Sequence, residues 1–437
     1  MEISLIALII GIVLIITLLI GVPIAFGLMG LSAGLLFVFC GQDVLFLVVA
    51  ATLKQMTTGI FIAVPLFVLM AAILQFSGVV RDLYDSIYLW MGPLRGGLAI
   101  GTVIISTVLA AVSGVAATAT TVMGLMALPE MNKRGYSKQM SLGSITAGGA
   151  LGALIPPSVL MIIIGGFSGV SVGKLFIGGI IPGLLVSLCW IIYIVVRCFI
   201  RKEDGPALPL EQRGTFREKV ISLKSFILPF FLVVVVLGVI YGGVCTPTEA
   251  ASFGVFGALI CAAVNRKLNW TNMKQALFTT VRINAMIMWL VVGGGCYSAL
   301  ISVTGVRVLI TNILTGLPFG PLGVMLIILL VVLIMGMFID PVAITMICVP
   351  VIVPTIKLLH VDLLWMTLMF TMCVILGFIT PPFGLNLFYM KGVAPRGTSM
   401  MQIYQGVIPY CLLMLAVVVL CFMFPSILVW LPNAVIT

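Results

Sequence analysis

The chain has 437 residues, of which 62% are hydrophobic and only 8% charged, where a soluble domain carries about 25% charged residues. That composition excludes a soluble protein and predicts an all-α polytopic membrane protein with no separate soluble domain. The net charge of +10 is spread over the segments between apolar runs, so it fits membrane topology and not a nucleic-acid surface.

The N-terminus runs from Met1-Glu2 straight into apolar residues to Ile20. It has no basic leader and no cleavage pattern, so the first segment is expected to stay as a span. Apolar spans are predicted at 3–21, 24–40, 60–77, 139–167, 175–199, 224–242, 247–264, 283–303, 362–391 and 403–424. Each can cross a hydrocarbon core of about 30 Å. The segments 43–58 and 268–282 carry Lys54, Lys274 and Arg282 and are expected to lie along the membrane surface. Two longer regions, 96–130 and 321–357, hold small or helix-breaking residues at their middles, Ser113-Gly114 and Asp340-Pro341. Each is two full spans or a re-entrant hairpin. Arms of about 16 residues are short for a span and favour the hairpin. Ten cysteines show no CxxC spacing and predict buried free thiols. The single histidine, His360, stands in a loop beside Asp362 with no catalytic partner.

Two spans are interrupted by consecutive prolines, at Gly152-Ala153-Leu154-Ile155-Pro156-Pro157-Ser158 and at Gly377-Phe378-Ile379-Thr380-Pro381-Pro382-Phe383. Proline removes a backbone donor and pushes the preceding residue out of helical geometry. Such a break strands polar backbone in lipid unless protein or a lined cavity receives it. Both are therefore broken helices, each expected to restart with a proline at the head of its second half.

The chain repeats. Phe26-Gly27 matches Phe253-Gly254, and Ser77-Gly78-Val79 matches Thr304-Gly305-Val306, both at an offset of 227. Thr120 matches Thr345, Gly152 matches Gly377 and the proline pairs match, all at 225. Five spans and one hairpin per half force opposite orientations, giving an inverted repeat: residues 1–200, a linker at 201–223, and residues 224–437. Placing both termini outside puts eighteen of the 22 basic residues inside and leaves Lys54, Lys174, Arg307 and Lys357 outside. The basic excess therefore predicts an inward-facing linker and outward-facing termini.

Two tips and two breaks are expected to meet mid-membrane. Loose carbonyls there can replace the hydration shell of a small cation, and half-helix N-termini can face an anion. A first cation site is assigned to Ser113, Gly114, Gly152 and Ile155. A second is assigned to Gly336, Asp340, Gly377 and Thr380. Ser158, Thr118, Thr120, Thr345 and Asn386 are placed to line a substrate space between them, unless each hydroxyl bonds within its own helix. Asp340 is either a cation ligand or the cap of the second hairpin arm. Glu249, in Thr246-Pro247-Thr248-Glu249, reads as helix-start chemistry.

Tyr241-Gly242-Gly243-Val244-Cys245-Thr246-Pro247-Thr248-Glu249-Ala250-Ala251-Ser252 resembles the signature of the large membrane subunit of tripartite ATP-independent periplasmic (TRAP) transporters. The paired proline breaks and the two tips fit that pattern along essentially the whole chain. The resemblance implies sodium-coupled uptake of an organic-acid anion across the bacterial inner membrane. It also implies a small membrane subunit and a periplasmic binding protein as partners, and an elevator motion. It gives Gly377 and Thr380 as the closest matches to family sodium sites. A stand-alone sodium–anion symporter of similar architecture is the alternative. A channel would need a continuous polar face that no span has. An enzyme would need a nucleophile–base pair or metal set, and the sequence holds no HExxH and only a single histidine.

Overall fold

The structure, a computed structural model, describes residues 2–209 and 213–435, with the side chains of residues 111–113 outside the description. Its first half runs α1 (Ile3–Leu19), α2 (Ile24–Cys40), α3 (Phe46–Thr57), α4 (Ala63–Phe76), α5 (Val79–Met91), α6 (Gly97–Ser113), α7 (Ala116–Lys133), α8 (Lys138–Ala150), α9 (Val159–Ser168) and α10 (Val172–Ile200). A short α11 (Phe216–Ser222) leads into the second half. That half comprises α12 (Lys224–Tyr241), α13 (Pro247–Val264), α14 (Trp270–Val303), α15 (Val306–Thr315), α16 (Gly320–Gly336), α17 (Pro341–Leu358), α18 (Leu363–Ile379), α19 (Leu385–Val393), α20 (Met400–Met423) and α21 (Ser426–Val435). Among the described residues there is no strand, and seven helical stretches are long and apolar enough to cross a membrane.

Both regions expected to be hairpins or span pairs are helix–loop–helix units with arms of 17 and 18 residues, and α17 is itself long and apolar enough to cross a membrane. α6 and α7 turn at Gly114-Val115, and α16 and α17 turn over residues 337–340. Gly114 has φ +60, a conformation open to glycine at little steric cost. Both broken helices also form, as α8/α9 and α18/α19. Their first arms are the most enclosed elements: every residue from Met140 to Ala150 and from Leu364 to Ile379 is buried. A helix buried all round belongs to a core. In contrast, α1 buries only Ile10.

Three expectations need correction. The prolines do not head the second half-helices. They lie inside the breaks, and α9 starts at Val159 under a Ser158 cap while α19 starts at Leu385 after Gly384. Residues 268–282 do not form a separate surface helix, because α14 is continuous for 34 residues. At 1.5 Å per residue it is about 51 Å long, so Lys274 and Arg282 can clear a core of about 30 Å without a break. The stretch about 227 residues earlier does break: α3 ends at Thr57, and a 3-10 turn from Gly59 to Ile62 precedes α4. Finally, α5, α11, α15 and α21 were not anticipated. They are short, at 13, 7, 10 and 10 residues. Both α5 and α15 start after a glycine of positive φ, Gly78 and Gly305.

The helices pack in two groups. α14 lies against α2, α3 and α4, while α13 lies against α4 and α12. The second group is built on α8, packed by α6, α7 and α20, and on α18, packed by α16, α17 and α20. The groups touch directly where α14 packs on α17 and α4 on α6, and α5 (through α4, α6 and α12) and α15 (through α1, α14, α16 and α17) also contact both.

The segment after α10 is a clasp. Arg197 pairs with Asp204 at 2.7 Å and donates to Gln139 at 3.0 Å. Ser137 N donates to Asp204 O, Gly96 N to Gly205 O and Leu208 N to Gly92 O. Leu208 is buried against Gly92, where an added Cβ would overlap it at 1.9 Å. The clasp thus ties the α5–α6 turn, the start of α8 and the end of α10. α11 then docks on α5, with Trp90 Nε1 donating to Lys219 O at 2.9 Å.

Candidate functional site

The two tips and the two breaks meet at one cavity of about 90 Å³. Gly114 to Ala117 and Asp340 to Val342 come from the tips, while Ala153, Val159, Leu160, Phe378 and Tyr389 come from the broken helices. The remaining wall is α14, through Ile283, Met286 and Ile287, an i, i+3, i+4 face. The cavity therefore lies between the two helix groups. Its lining is apolar apart from Asp340, the Tyr389 hydroxyl and backbone.

Close backbone contact holds the first tip on the first break. Gly114 O accepts from Val159 N at 3.2 Å, and a Cβ on Gly114 would meet Pro157 O at 2.7 Å. A Cβ on Gly152 would come within 3.2–3.3 Å of Val115 and Ala116 backbone. Ser158 Oγ donates to Ala153 O at 2.7 Å and accepts from Met161 N at 3.4 Å. It therefore bridges the break and caps α9. Ile155 points away, onto Gly183 of α10. Ser113 lies outside the described residues.

The second tip is held on the second break by glycines. A Cβ on Gly377 would lie 2.6 Å from Gly336 Cα, so the two chains touch through bare backbone. Asp340 caps α17, its Oδ1 accepting from Val342 N at 2.9 Å. Thr380 Oγ donates to Leu376 O at 2.6 Å. This is back-bonding to its own helix, and the Cys411 thiol lies in hydrogen-bond reach of the same hydroxyl.

The polar residues assigned to the substrate space are divided. Thr120 Oγ donates to Asn386 Oδ1 at 2.8 Å, and Asn386 Nδ2 donates to Thr146 O at 2.7 Å. The three are fully buried, and they tie α7, α8 and α19 together behind the cavity. Thr345 donates to Pro341 O of its own helix. Thr118 lines a separate small cavity with Ala71, Gln75 and Leu109. Sequence reasoning missed the α14 wall and Tyr389. The α14 residues carry only a helical spacing of apolar side chains, which every span shares. Among the described residues no cluster of three or more His, Cys, Asp or Glu could hold a metal.

Comparison with known proteins matches residues 11–427 to the family model of the DctM component of tripartite ATP-independent periplasmic transporters. The chain is 31% identical to the C4-dicarboxylate TRAP transporter large permease protein DctM of Vibrio cholerae, over 95% of this chain and 94% of that one. It is 31% identical to the ectoine TRAP transporter large permease protein TeaC of Halomonas elongata, over 87% of this chain and 89% of that one. It is 29% identical to the 2,3-diketo-L-gulonate TRAP transporter large permease protein YiaN of Escherichia coli, over 94% and 95%. In fold it is similar to the YdaH transporter of Alcanivorax borkumensis, with a TM-score of 0.64 at 15% identity over 90% of each chain. The matched family is one of membrane permeases and not of enzymes. The chain is a multi-pass membrane protein that belongs to the large-subunit, DctM family of tripartite ATP-independent periplasmic transporters.

Proposed function

We propose that this chain is the large transmembrane subunit of a sodium-coupled importer of a small organic-acid anion, fed by a periplasmic binding protein and completed by a small membrane subunit. The observation that carries this reading is the central cavity, walled on one side by tips and breaks and on the other by α14. Relatives that carry C4-dicarboxylates and 2,3-diketo-L-gulonate support a carboxylate as cargo.

In this reading the two halves form an inverted repeat. The group around α8 and α18 moves as an elevator against the group around α13 and α14, with α5 and α15 as connecting arms. Sodium is cargo, held by backbone oxygens around Gly114 and Gly152 and by Gly377, Thr380 and their neighbours. The Thr380 hydroxyl suits this role, because it stands at the break with its proton turned to Leu376 O, which points the oxygen and not the hydrogen at a cation. Asp340 serves as the cap of α17, and its carboxyl lies in the wall where a cation would pass. The termini face the periplasm of the inner membrane and the clasp faces the cytoplasm.

The test is uptake of a radiolabelled carboxylate in proteoliposomes holding this chain, its small subunit and a candidate binding protein. Uptake should require sodium and the binding protein together. Equal uptake in sodium and choline buffers overturns the coupling. Uptake without a binding protein favours the stand-alone symporter.

A further inference from the structure

A second cleft, of about 530 Å³, opens between α5 and α7. That volume is in the range of small-molecule sites. Arg81, Tyr84, Asp85 and Tyr88 line one wall at i, i+3, i+4 and i+7 of α5, and Leu125, Met126 and Glu130 of α7 line the other. Ala117 of the central cavity and Glu130 of this cleft are 13 residues apart on α7, about 20 Å. The cleft is therefore separate from the central cavity but joined to it by one helix of the first hairpin.

The chemistry of the cleft is incomplete. Tyr84 is 8% exposed, and its hydroxyl is buried with no hydrogen-bond partner. A buried donor without an acceptor is costly. Arg81 enters neither of the two ion pairs among the described residues, which are Arg134–Glu130 and Arg197–Asp204. The Tyr84 hydroxyl thus awaits an acceptor, while Arg81, exposed one turn earlier, has the Asp85 carboxylate of its own helix within electrostatic range. The cleft also holds acceptors in Asp85 and Glu130, and Glu130 is held in place by Arg134 at 3.0 Å. Arg134 in turn lies 4.9 Å from the Tyr88 ring centre. A bare anion would meet these carboxylates unfavourably. A carboxylate that also carries hydroxyl groups would satisfy both sets at once. Leu125, Met126 and the tyrosine rings can cover its carbon chain.

We propose that this cleft is a second binding site, on the cytoplasmic side, for a hydroxylated carboxylate. Arg81 and the Tyr84 hydroxyl take the carboxylate, while Asp85 and Glu130 accept from the hydroxyls. The choice of ligand class rests on the transport reading above, and the site serves as a release station after cargo leaves the central cavity.

The experiment uses Met126→Cys as a reporter in a chain whose ten native cysteines are replaced, purified with its small subunit. The rate of maleimide labelling is read with D-gluconate, with succinate, and with sodium chloride at equal ionic strength. Gluconate is expected to slow labelling at least threefold and succinate less. The protection should vanish in Arg81→Gln and in Tyr84→Phe. The second variant removes one unpartnered oxygen and should leave folding untouched. Labelling indifferent to gluconate, or protection unchanged in both variants, overturns the site. Equal protection by succinate overturns the role of ligand hydroxyls. Equal protection by sodium chloride reduces the effect to ionic strength and overturns the site as well. A wild type that accumulates no carboxylate in proteoliposomes defeats the transport reading instead, and the labelling result stands apart from it.

Discussion

Thr380 and Gly377 stand three residues apart and should fail in opposite ways. Thr380→Ala removes one oxygen and leaves the proline-defined backbone in place. Uptake should shift to higher sodium with near-normal expression, and Thr380→Ser should be mild. If its bond to Leu376 O is the whole role of the hydroxyl, the alanine variant will titrate with sodium like wild type. Gly377→Ala is a different event, because its Cβ falls 2.6 Å from Gly336 Cα and no flexible side chain can yield. Overpacking of this kind costs about 1–3 kcal/mol, which a lowered melting temperature in detergent would register. Asn386→Leu should cost about 1–3 kcal/mol as well, since it strands the buried Thr120 hydroxyl. Asp204 adds a pH dependence. Burial raises its pKa, but the hydrogen bonds from Arg197 and Ser137 and the nearby Arg201 charge outweigh that and hold it below its usual value. A depressed carboxylate pKa stabilises the fold above the unfolded value of about 3.9 and loses that contribution as pH falls. The gap in melting temperature between wild type and Asp204→Asn should therefore be widest near pH 7 and close below about pH 4.

Among the elements, those bounded by strong backbone chemistry were legible and those bounded by packing were not. Pro156-Pro157 and Pro381-Pro382 marked both breaks, because the loss of a backbone donor is a local fact that any sequence exposes. Ser113-Gly114 marked one tip through glycine's tolerance of positive φ, and Asp340-Pro341 marked the other as a capped, proline-led helix start. α14 escaped, because Lys274 and Arg282 lower the hydropathy of its first half without interrupting its backbone. α5 and α15 escaped because they are too short to span. At the site the tip and break residues were found by their small size, whereas Ile283, Met286, Ile287 and Tyr389 look like any lipid-facing or core residue until the fold brings them to the cavity. The unbroken α14 can be tested. Ala285→Pro introduces a break near where the first half has one, between Thr57 and Gly59. In a helix interior it should cost about 3 kcal/mol or more, read as a lowered melting temperature. An unchanged melting temperature would show that α14 tolerates a hinge there.

For the molecule as a whole, orientation decides which cavity faces which compartment. With cysteines placed one at a time in a cysteine-free chain, Arg134→Cys should label from the cytoplasm and Lys357→Cys from the periplasm. The reverse pattern would turn the cleft between α5 and α7 outward. Coupled uptake should also respond to membrane potential, since each net charge moved gains about 2.3 kcal/mol per 100 mV. Uptake indifferent to an imposed potential would require an electroneutral stoichiometry.

The clasp around Asp204 also bears on whether the polypeptide can be divided. Residues 201–208 belong structurally to the first half, because their partners are Gly92, Gly96, Ser137 and Arg197. A gene cut after Gly214 would give an N-terminal fragment that carries its own closure and a C-terminal fragment beginning at the capping box of α11. Co-expressed, these two pieces should reassemble and restore uptake. A cut after Arg201 would leave Gly92, Gly96 and Cys198 uncovered in the first fragment and hand the closure to the second. That pair should complement poorly, so the clasp fixes where this transporter can be made from two chains.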